Sequence, residues 1–127
     1  MNAPFLFAGI DVGSATAKAV IIDAEGAVLG EAILPSGGNL AAAAQRCFDL
    51  AAETAGHPDP SCGAIVATGY GRERVALRTR AVTEITCHAR GARALRDGVQ
   101  SVIDIGGQDS KAIALDPQGR VLRFEMN

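Results

Sequence analysis

The sequence predicts an α/β fold in which a lobe of element order β-β-β-α-β-α-β-α is followed by the first strands of a second such lobe. Two observations support this prediction. Two hairpins that each carry an aspartate and a glycine turn lie about 90 residues apart, at residues 9–18 and 102–111. Between them, segments with strand periodicity and helix periodicity alternate.

Three short apolar segments near the start predict an antiparallel meander. They cover residues 5–12, 16–23 and 27–34, and the turns between them are Gly13-Ser14 and Glu25-Gly26. Each segment is about as long as an ordinary strand, and each turn contains glycine. This part of the chain is therefore expected to form one three-stranded sheet.

The remaining elements of the first lobe follow in order. Apolar side chains recur at helical spacing over residues 39–55, and the continuous apolar run at 63–68 is typical of a buried parallel strand. A helical turn is expected near Arg72 and a very short strand at 81–82. A second helix is expected over 83–98, with Thr83 as its cap and Gly98 as its end.

A second meander is predicted at residues 100–105, 110–116 and 120–126. We therefore assign residues 1–98 to the first lobe and residues 99–127 to the start of a second, truncated lobe. No helix follows the third strand, so one face of this sheet is expected to be uncovered. On this basis, the chain is expected to be the N-terminal piece of a longer protein.

Composition limits the classes of function. The chain has 127 residues, of which 48% are hydrophobic and 20% charged, enough for one ordinary soluble domain. A net charge of −2 gives no electrostatic support for nucleic-acid binding, and no apolar run is long enough to span a membrane. The three cysteines, Cys47, Cys62 and Cys87, form neither a metal-binding spacing nor a disulfide framework. A reducing, cytoplasmic location is therefore expected.

The two hairpins have the residue types of a phosphate-binding device. Glycine lets backbone N–H groups approach phosphate oxygens, and an aspartate can lie beside a metal ion. Two such hairpins can close on one polyphosphate from opposite sides. The alternative is a pair of ordinary β-turns, which we disfavour because both hairpins occur in the same strand-turn-strand setting.

Three sequence motifs point to a known protein family. They are D-I-G-G-Q-D-S-K at 104–111, A-T-G-Y-G-R at 67–72 and T-E-I-T-C-H-A at 83–89. Together they resemble the activator ATPases of 2-hydroxyacyl-CoA dehydratases and ATP-dependent benzoyl-CoA reductases. That family lies within the superfamily of acetate and sugar kinases, heat-shock chaperones and actin. The resemblance implies the actin-like ATPase fold, in which two ribonuclease H-like lobes bind ATP or ADP with Mg²⁺ in the cleft between them.

The resemblance also implies the roles of individual residues. The first phosphate loop would comprise Asp11, Gly13, Ser14, Thr16 and Lys18, and the second Asp104, Gly106, Gly107, Gln108, Asp109 and Lys111. Asp11 and Asp104 would hold a hydrated magnesium ion, and Gln108 would position the attacking water. These three residues are the catalytic candidates. Lys18 and Lys111 are candidates for neutralising phosphate charge.

In the resembled family, two subunits share one [4Fe-4S] cluster, and ATP turnover drives a low-potential electron into a partner enzyme. The resemblance thus implies a homodimer, a CoA-thioester dehydratase or reductase as partner, and ferredoxin or flavodoxin as electron donor. The cluster cysteine of the family lies in a segment expected beyond Asn127, and none of the three cysteines here matches a cluster position. The isolated chain is therefore expected to be inactive.

Two other functions stay open from the residues. One is a sugar or N-acetylglucosamine kinase of the same superfamily, disfavoured because Gly106–Asp109 replaces the serine- or threonine-rich turn usual in those kinases. The other is a nucleotide-binding interaction module without turnover. A metal site at Cys87 and His88 is disfavoured, since neighbours on a helix point about 100° apart.

Overall fold

Eight strands, two α-helices and one short 3₁₀ helix make up the described part of the chain, residues 5–127, in this computed structural model. Strands β1 to β8 cover Leu6–Val12, Thr16–Asp23, Val28–Pro35, Cys62–Thr68, Arg80–Ala81, Ser101–Ile105, Ser110–Leu115 and Val121–Met126. Helices α1 and α2 cover Leu40–Thr54 and Glu84–Leu95, and the 3₁₀ helix covers Arg72–Arg74. The chain divides into two compact units, one ending at Val82 and the other formed by Thr83–Asn127.

In the first unit, five strands form one sheet in the order β3-β2-β1-β4-β5. Strand β1 pairs antiparallel with β2 and parallel with β4. Alternate β1 side chains are buried, and α1 packs on that face. Ile10, Val12 and Ala17 of the sheet and Phe48 of the helix belong to one buried core. A Cβ on Gly30 would overlap the backbone of α1, so glycine at this position lets the helix lie directly against β3.

The limits of α1 follow from its caps. The side chain of Asn39 accepts a hydrogen bond from the N–H of Ala42 at 3.0 Å. At the other end, Gly56 has φ of +79°, a conformation that favours glycine and stops the helix. The predicted helix over 39–55 is thus confirmed. The helical turn expected near Arg72 is present as the three-residue 3₁₀ helix at Arg72–Arg74, so the second helix of the predicted element order is only this turn.

The second unit consists of α2 and the antiparallel sheet β6-β7-β8. Ala89 of α2 is buried against Ile113 and Leu115 of β7. Helix α2, which precedes the sheet, thus covers one face, a packing that the sequence did not predict. Within residues 5–127 the other face stays uncovered, as expected, and it carries the exposed side chains of Ile103 and Ile105. The division of the chain into lobes at residue 98 stays a prediction. No helix in residues 5–127 is long and apolar enough to cross a membrane.

The two meanders repeat each other at a constant offset of 93 positions, as from Asp23 to Asp116. Each of these aspartates accepts two backbone hydrogen bonds within its own turn, all at 2.8–2.9 Å. Gly26 and Gly119, at the same offset, have φ of +87° and +84°. The β2–β3 and β7–β8 turns therefore have the same backbone geometry, in which glycine is required by its positive φ.

Candidate functional site: two equivalent hairpins

The β1–β2 and β6–β7 turns also share one backbone geometry. The N–H of Gly13 donates to the carbonyl of Thr16 at 3.0 Å, and the N–H of Gly106 donates to that of Asp109 at 2.9 Å. A Cβ added to Gly13 would lie 3.2 Å from the carbonyl oxygen of Thr16, and one added to Gly106 would lie 3.2 Å from that of Asp109. Both distances are shorter than an ordinary van der Waals contact. The repeat seen in the sequence is therefore a repeat of local structure, and a side chain at this position would crowd both turns in the same way.

In the first hairpin, Asp11 and Lys18 are directly opposed across β1 and β2. Their carboxylate and ammonium atoms are 3.7 Å apart, and the side chains are 34% and 47% exposed. The buried Ser36 anchors the turn, because its hydroxyl donates to the carbonyl of Gly13 at 2.6 Å and its N–H donates to that of Ala15 at 3.0 Å. Sequence reasoning missed this anchor, since the residues around Ser36 indicate only a turn.

The end of β4 forms the other side of Asp11. Thr68 pairs with Asp11 in the parallel register, and its buried hydroxyl has no hydrogen-bond partner among residues 5–127. Gly69 has φ of +93°, and a Cβ there would collide with the Asp11 carboxylate and the carbonyl of Val12. Gly71 donates its N–H to that same Val12 carbonyl at 2.8 Å. The A-T-G-Y-G-R motif thus packs against Asp11, a contact that the sequence alone did not predict.

In the second hairpin, Asp104 and Lys111 are opposed in the same way, but Lys111 is buried and only 6% exposed. Its ammonium lies 2.6 Å from Asp109 Oδ1, 3.1 Å from Glu84 Oε2 and 3.7 Å from Asp104 Oδ2. The hydrogen bond to Asp109, and then that to Glu84, outweigh burial and hold the pKa of Lys111 well above its usual value. The ammonium is therefore charged at any physiological pH.

Two residues of α2 belong to this hairpin and were missed as site residues. Glu84 reaches Lys111, and His88, one helical turn further on, places Nε2 3.3 Å from Asp104 Oδ2. The signal that could have found them is their i,i+4 spacing, which puts both side chains on one face of the helix. His88 thus lies beside a carboxylate of the hairpin.

The other residues predicted for the site lie at the tips of the turns. Ser14, Gly107 and Gln108 are exposed, and Thr16 is half-buried at the start of β2. The residues of the first predicted phosphate loop lie together in the first unit, and those of the second predicted loop lie together in the second unit. Their contacts with nucleotide stay predictions.

The donor chemistry of the two hairpins fits magnesium. Mg²⁺ in nucleotide sites uses one or two carboxylates and completes its shell with water and phosphate oxygens. Asp11 and Asp104 are each a partly exposed carboxylate beside the glycine turn of its own hairpin, so each hairpin by itself offers one ligand of this kind. Within residues 5–127, no three His, Cys, Asp or Glu side chains converge as a metal site formed by protein alone.

Burial raises the pKa of the Cys47 thiol, whose sulfur lies 3.3 Å from the carbonyl of Ala32.

Curated relatives match this chain over nearly all of its length. The chain is 42% identical over 120 residues to the activator of lactoyl-CoA dehydratase from Anaerotignum propionicum, covering 94% of this chain and 46% of that protein. It is 30% identical over 124 residues to a component of benzoyl-CoA reductase from Thauera aromatica, covering 94% of this chain and 43% of the relative. The chain thus spans about half the length of the curated relatives it matches.

Solved structures confirm the predicted fold class. The activator of 2-hydroxyisocaproyl-CoA dehydratase from Clostridium difficile, solved with bound ADPNP, superposes with a TM-score of 0.88 at 32% identity, covering 97% of this chain and 46% of the other. A putative N-acetylglucosamine kinase from Chromobacterium violaceum superposes with a TM-score of 0.63 at 17% identity, covering 95% and 48% of the two chains. At that identity the kinase shares the fold alone.

The family follows from a direct match. The model of the BadF/BadG/BcrA/BcrD ATPase family matches residues 8–127, which include both hairpins and all three sequence motifs that suggested the resemblance. Together with the relatives and the structures, this match shows that the chain belongs to the BadF/BadG/BcrA/BcrD ATPase family.

Proposed function

We propose that the full-length protein is an ATP-hydrolysing activator that couples nucleotide turnover to low-potential electron transfer into a CoA-thioester dehydratase or reductase. The observation that carries this proposal is the pair of glycine turns with one backbone geometry, each preceded by an aspartate. The ADPNP-bound relative of similar fold supports ATP as the nucleotide. The higher identity to a dehydratase activator than to a benzoyl-CoA reductase component favours a dehydratase as the partner.

The hairpins would bind phosphate through their backbone. Gly13, Gly106 and Gly107 carry no side chain to block the approach of N–H groups to phosphate oxygens, and the hydroxyls of Ser14 and Thr16 add further donors. Gln108 is exposed at the second turn, where an uncharged amide can orient a water molecule without removing its proton. Lys18, which is half-exposed, is available to offset phosphate charge.

Asp11 and Asp104 would hold the water shell of the bound magnesium. When bound, the ion offsets the charge that develops on the transferred phosphoryl group. The chain's own contribution is to place the two carboxylates. Gly69 leaves room for Asp11, and His88 lies beside Asp104.

The electron-transfer part of the proposal rests on the resemblance and on the functions for which the relatives are named. A [4Fe-4S] cluster shared by two subunits of a homodimer would receive an electron from ferredoxin or flavodoxin in the cytoplasm. Its ligands would lie outside this chain, because none of Cys47, Cys62 and Cys87 matches a cluster position.

The test is ATP hydrolysis by the full-length protein, measured with the iron-sulfur centre reduced and oxidised and with a candidate dehydratase present or absent. We expect hydrolysis that depends on Mg²⁺, together with dehydratase activity that depends on ATP and on the reduced activator. Phosphorylation of a sugar would instead establish the kinase alternative. Nucleotide binding without hydrolysis in any of these states would establish an interaction module.

A further inference from the structure

The ammonium of Lys111 is shared among three carboxylates at unequal distances. It is closest to Asp109, intermediate to Glu84 and farthest from Asp104, at 2.6, 3.1 and 3.7 Å. These four side chains carry three negative charges and one positive charge. The lysine therefore cannot neutralise all of its neighbours, and its position decides which carboxylate stays available to another cation.

Glu84 is the member of this group that the hairpin does not supply. It is the first residue of α2, whereas Asp104 lies on β6, Asp109 in the following turn and Lys111 on β7. Packing of Ala89 against the sheet fixes the helix, and hence the place from which Glu84 reaches Lys111. Glu84 thus gives the ammonium a partner on the helix that lies nearer to it than Asp104 does.

We propose that Glu84 is a positioning residue of the second hairpin, which holds the Lys111 ammonium and so keeps the Asp104 carboxylate free for the magnesium nucleotide. The proposal rests on the function proposed above. Without the Glu84 charge, the ammonium would be shared by Asp104 and Asp109 alone. A closer Lys111–Asp104 pair would then compete with magnesium for the same carboxylate.

His88 makes this competition sharper. Its Nε2 lies 3.3 Å from Asp104 Oδ2, the same oxygen that faces Lys111. The imidazole thus lies beside the oxygen for which the ammonium and magnesium would compete. The carboxylate is 26% exposed, so it keeps an open side toward solvent.

The experiment measures ADPNP binding to the full-length protein by calorimetry at a series of Mg²⁺ concentrations, for wild type and for Glu84→Gln. The half-saturating Mg²⁺ concentration is expected to rise about fivefold in Glu84→Gln, while kcat at saturating Mg²⁺ stays within about twofold of wild type. The conservative Glu84→Asp variant, which keeps the charge but shortens its reach, should fall between the two. It also provides the test if Glu84→Gln does not fold.

Glu125→Gln is the matched control, because it removes the same charge from the second unit. Glu125 lies on β8 opposite the exposed Ala112, on the sheet face away from Lys111. Its titration should coincide with that of wild type. If Glu84→Gln also coincides with wild type while ADPNP binding depends on Mg²⁺, the positioning role is overturned and the proposed function stands. If wild type shows no Mg²⁺-dependent nucleotide binding, both are overturned.

Discussion

The two hairpins have one backbone design and two electrostatic environments. In both, an aspartate and a lysine face each other across the strands, as Asp11 with Lys18 and as Asp104 with Lys111. The first pair is separated by 3.7 Å and half-exposed to solvent. In the second, the lysine is buried and binds two additional carboxylates.

The position of the helix explains the difference. In the first unit, α1 packs on the sheet face formed by Ile10, Val12 and Ala17, so the adjacent Asp11 and Lys18 point to the other face. In the second unit, α2 packs on the face that carries Lys111 and Ile113. The same strand pattern thus gives a solvated ion pair or a buried network, depending on which face the helix covers.

The largest effect is expected from Asp104→Asn. The change removes a magnesium-ordering charge, and ATP turnover by the full-length protein should fall at least about 100-fold. Folding should be retained, because Lys111 keeps both Asp109 and Glu84 as partners.

The control for that variant is Asp97→Asn, whose side chain is fully exposed just beyond α2. It should hydrolyse ATP at the wild-type rate. Turnover of Asp104→Asn within a few-fold of wild type would exclude the proposed role of Asp104. It would also mean that the second hairpin is not the functional equivalent of the first.

The second prediction compares the two lysines by stability. Lys111→Met leaves three neighbouring carboxylates without their cation and should cost about 2–3 kcal/mol, since those carboxylates retain some solvent. Lys18→Met removes one half-exposed pair and should cost less than about 1 kcal/mol. Native-state amide exchange in β7 and in β2 measures each cost in its own unit.

The pH dependence of the Lys111 contribution has a defined sign. Because the pKa of Lys111 is raised, its stabilisation is fully present below the ordinary value of 10.5 and is lost only as pH rises through the folded-state value. Equal costs for Lys111→Met and Lys18→Met would contradict the contrast between the two environments.

The third prediction tests whether the glycine turns bind nucleotide. In Gly13→Val, the added Cβ would lie 3.2 Å from the carbonyl oxygen of Thr16, so the turn must shift slightly to admit the branched side chain. The affinity for ADPNP, measured by calorimetry, should fall about tenfold. Gly38→Val is a suitable control, because a Cβ at Gly38 would meet no atom within 4 Å in the described part of the chain. Unchanged affinity in Gly13→Val would reduce Gly13 to a structural turn residue.

The sequence predicted the strands and both hairpins because their signals are local. Alternating apolar residues and glycine turns specify β1, β2 and their connection without reference to any other part of the chain. It did not predict that α2 would cover the second sheet, since a helix between two sheets can pack on either. Glu84 was missed as a site residue for the same reason, because its pairing with Lys111 depends on that packing.

The smallest effect concerns the turns at the far ends of the hairpins, which also repeat. Asp23 and Asp116 each accept two backbone hydrogen bonds, but Asp116 also pairs with the guanidinium of Arg120 at 2.9 Å. The backbone N–H of Arg120, foremost among these donors, lowers the pKa of Asp116 below 3.8. A group with a lowered pKa stabilises the fold above its unfolded-state pKa, and this contribution is lost as pH falls through the folded-state value.

Asp116→Asn should therefore lower the Tm slightly at neutral pH, and the difference in Tm from wild type should disappear in acid. A Tm gap that persists unchanged at about pH 2.5 would show that the ionised carboxylate contributes nothing to this turn.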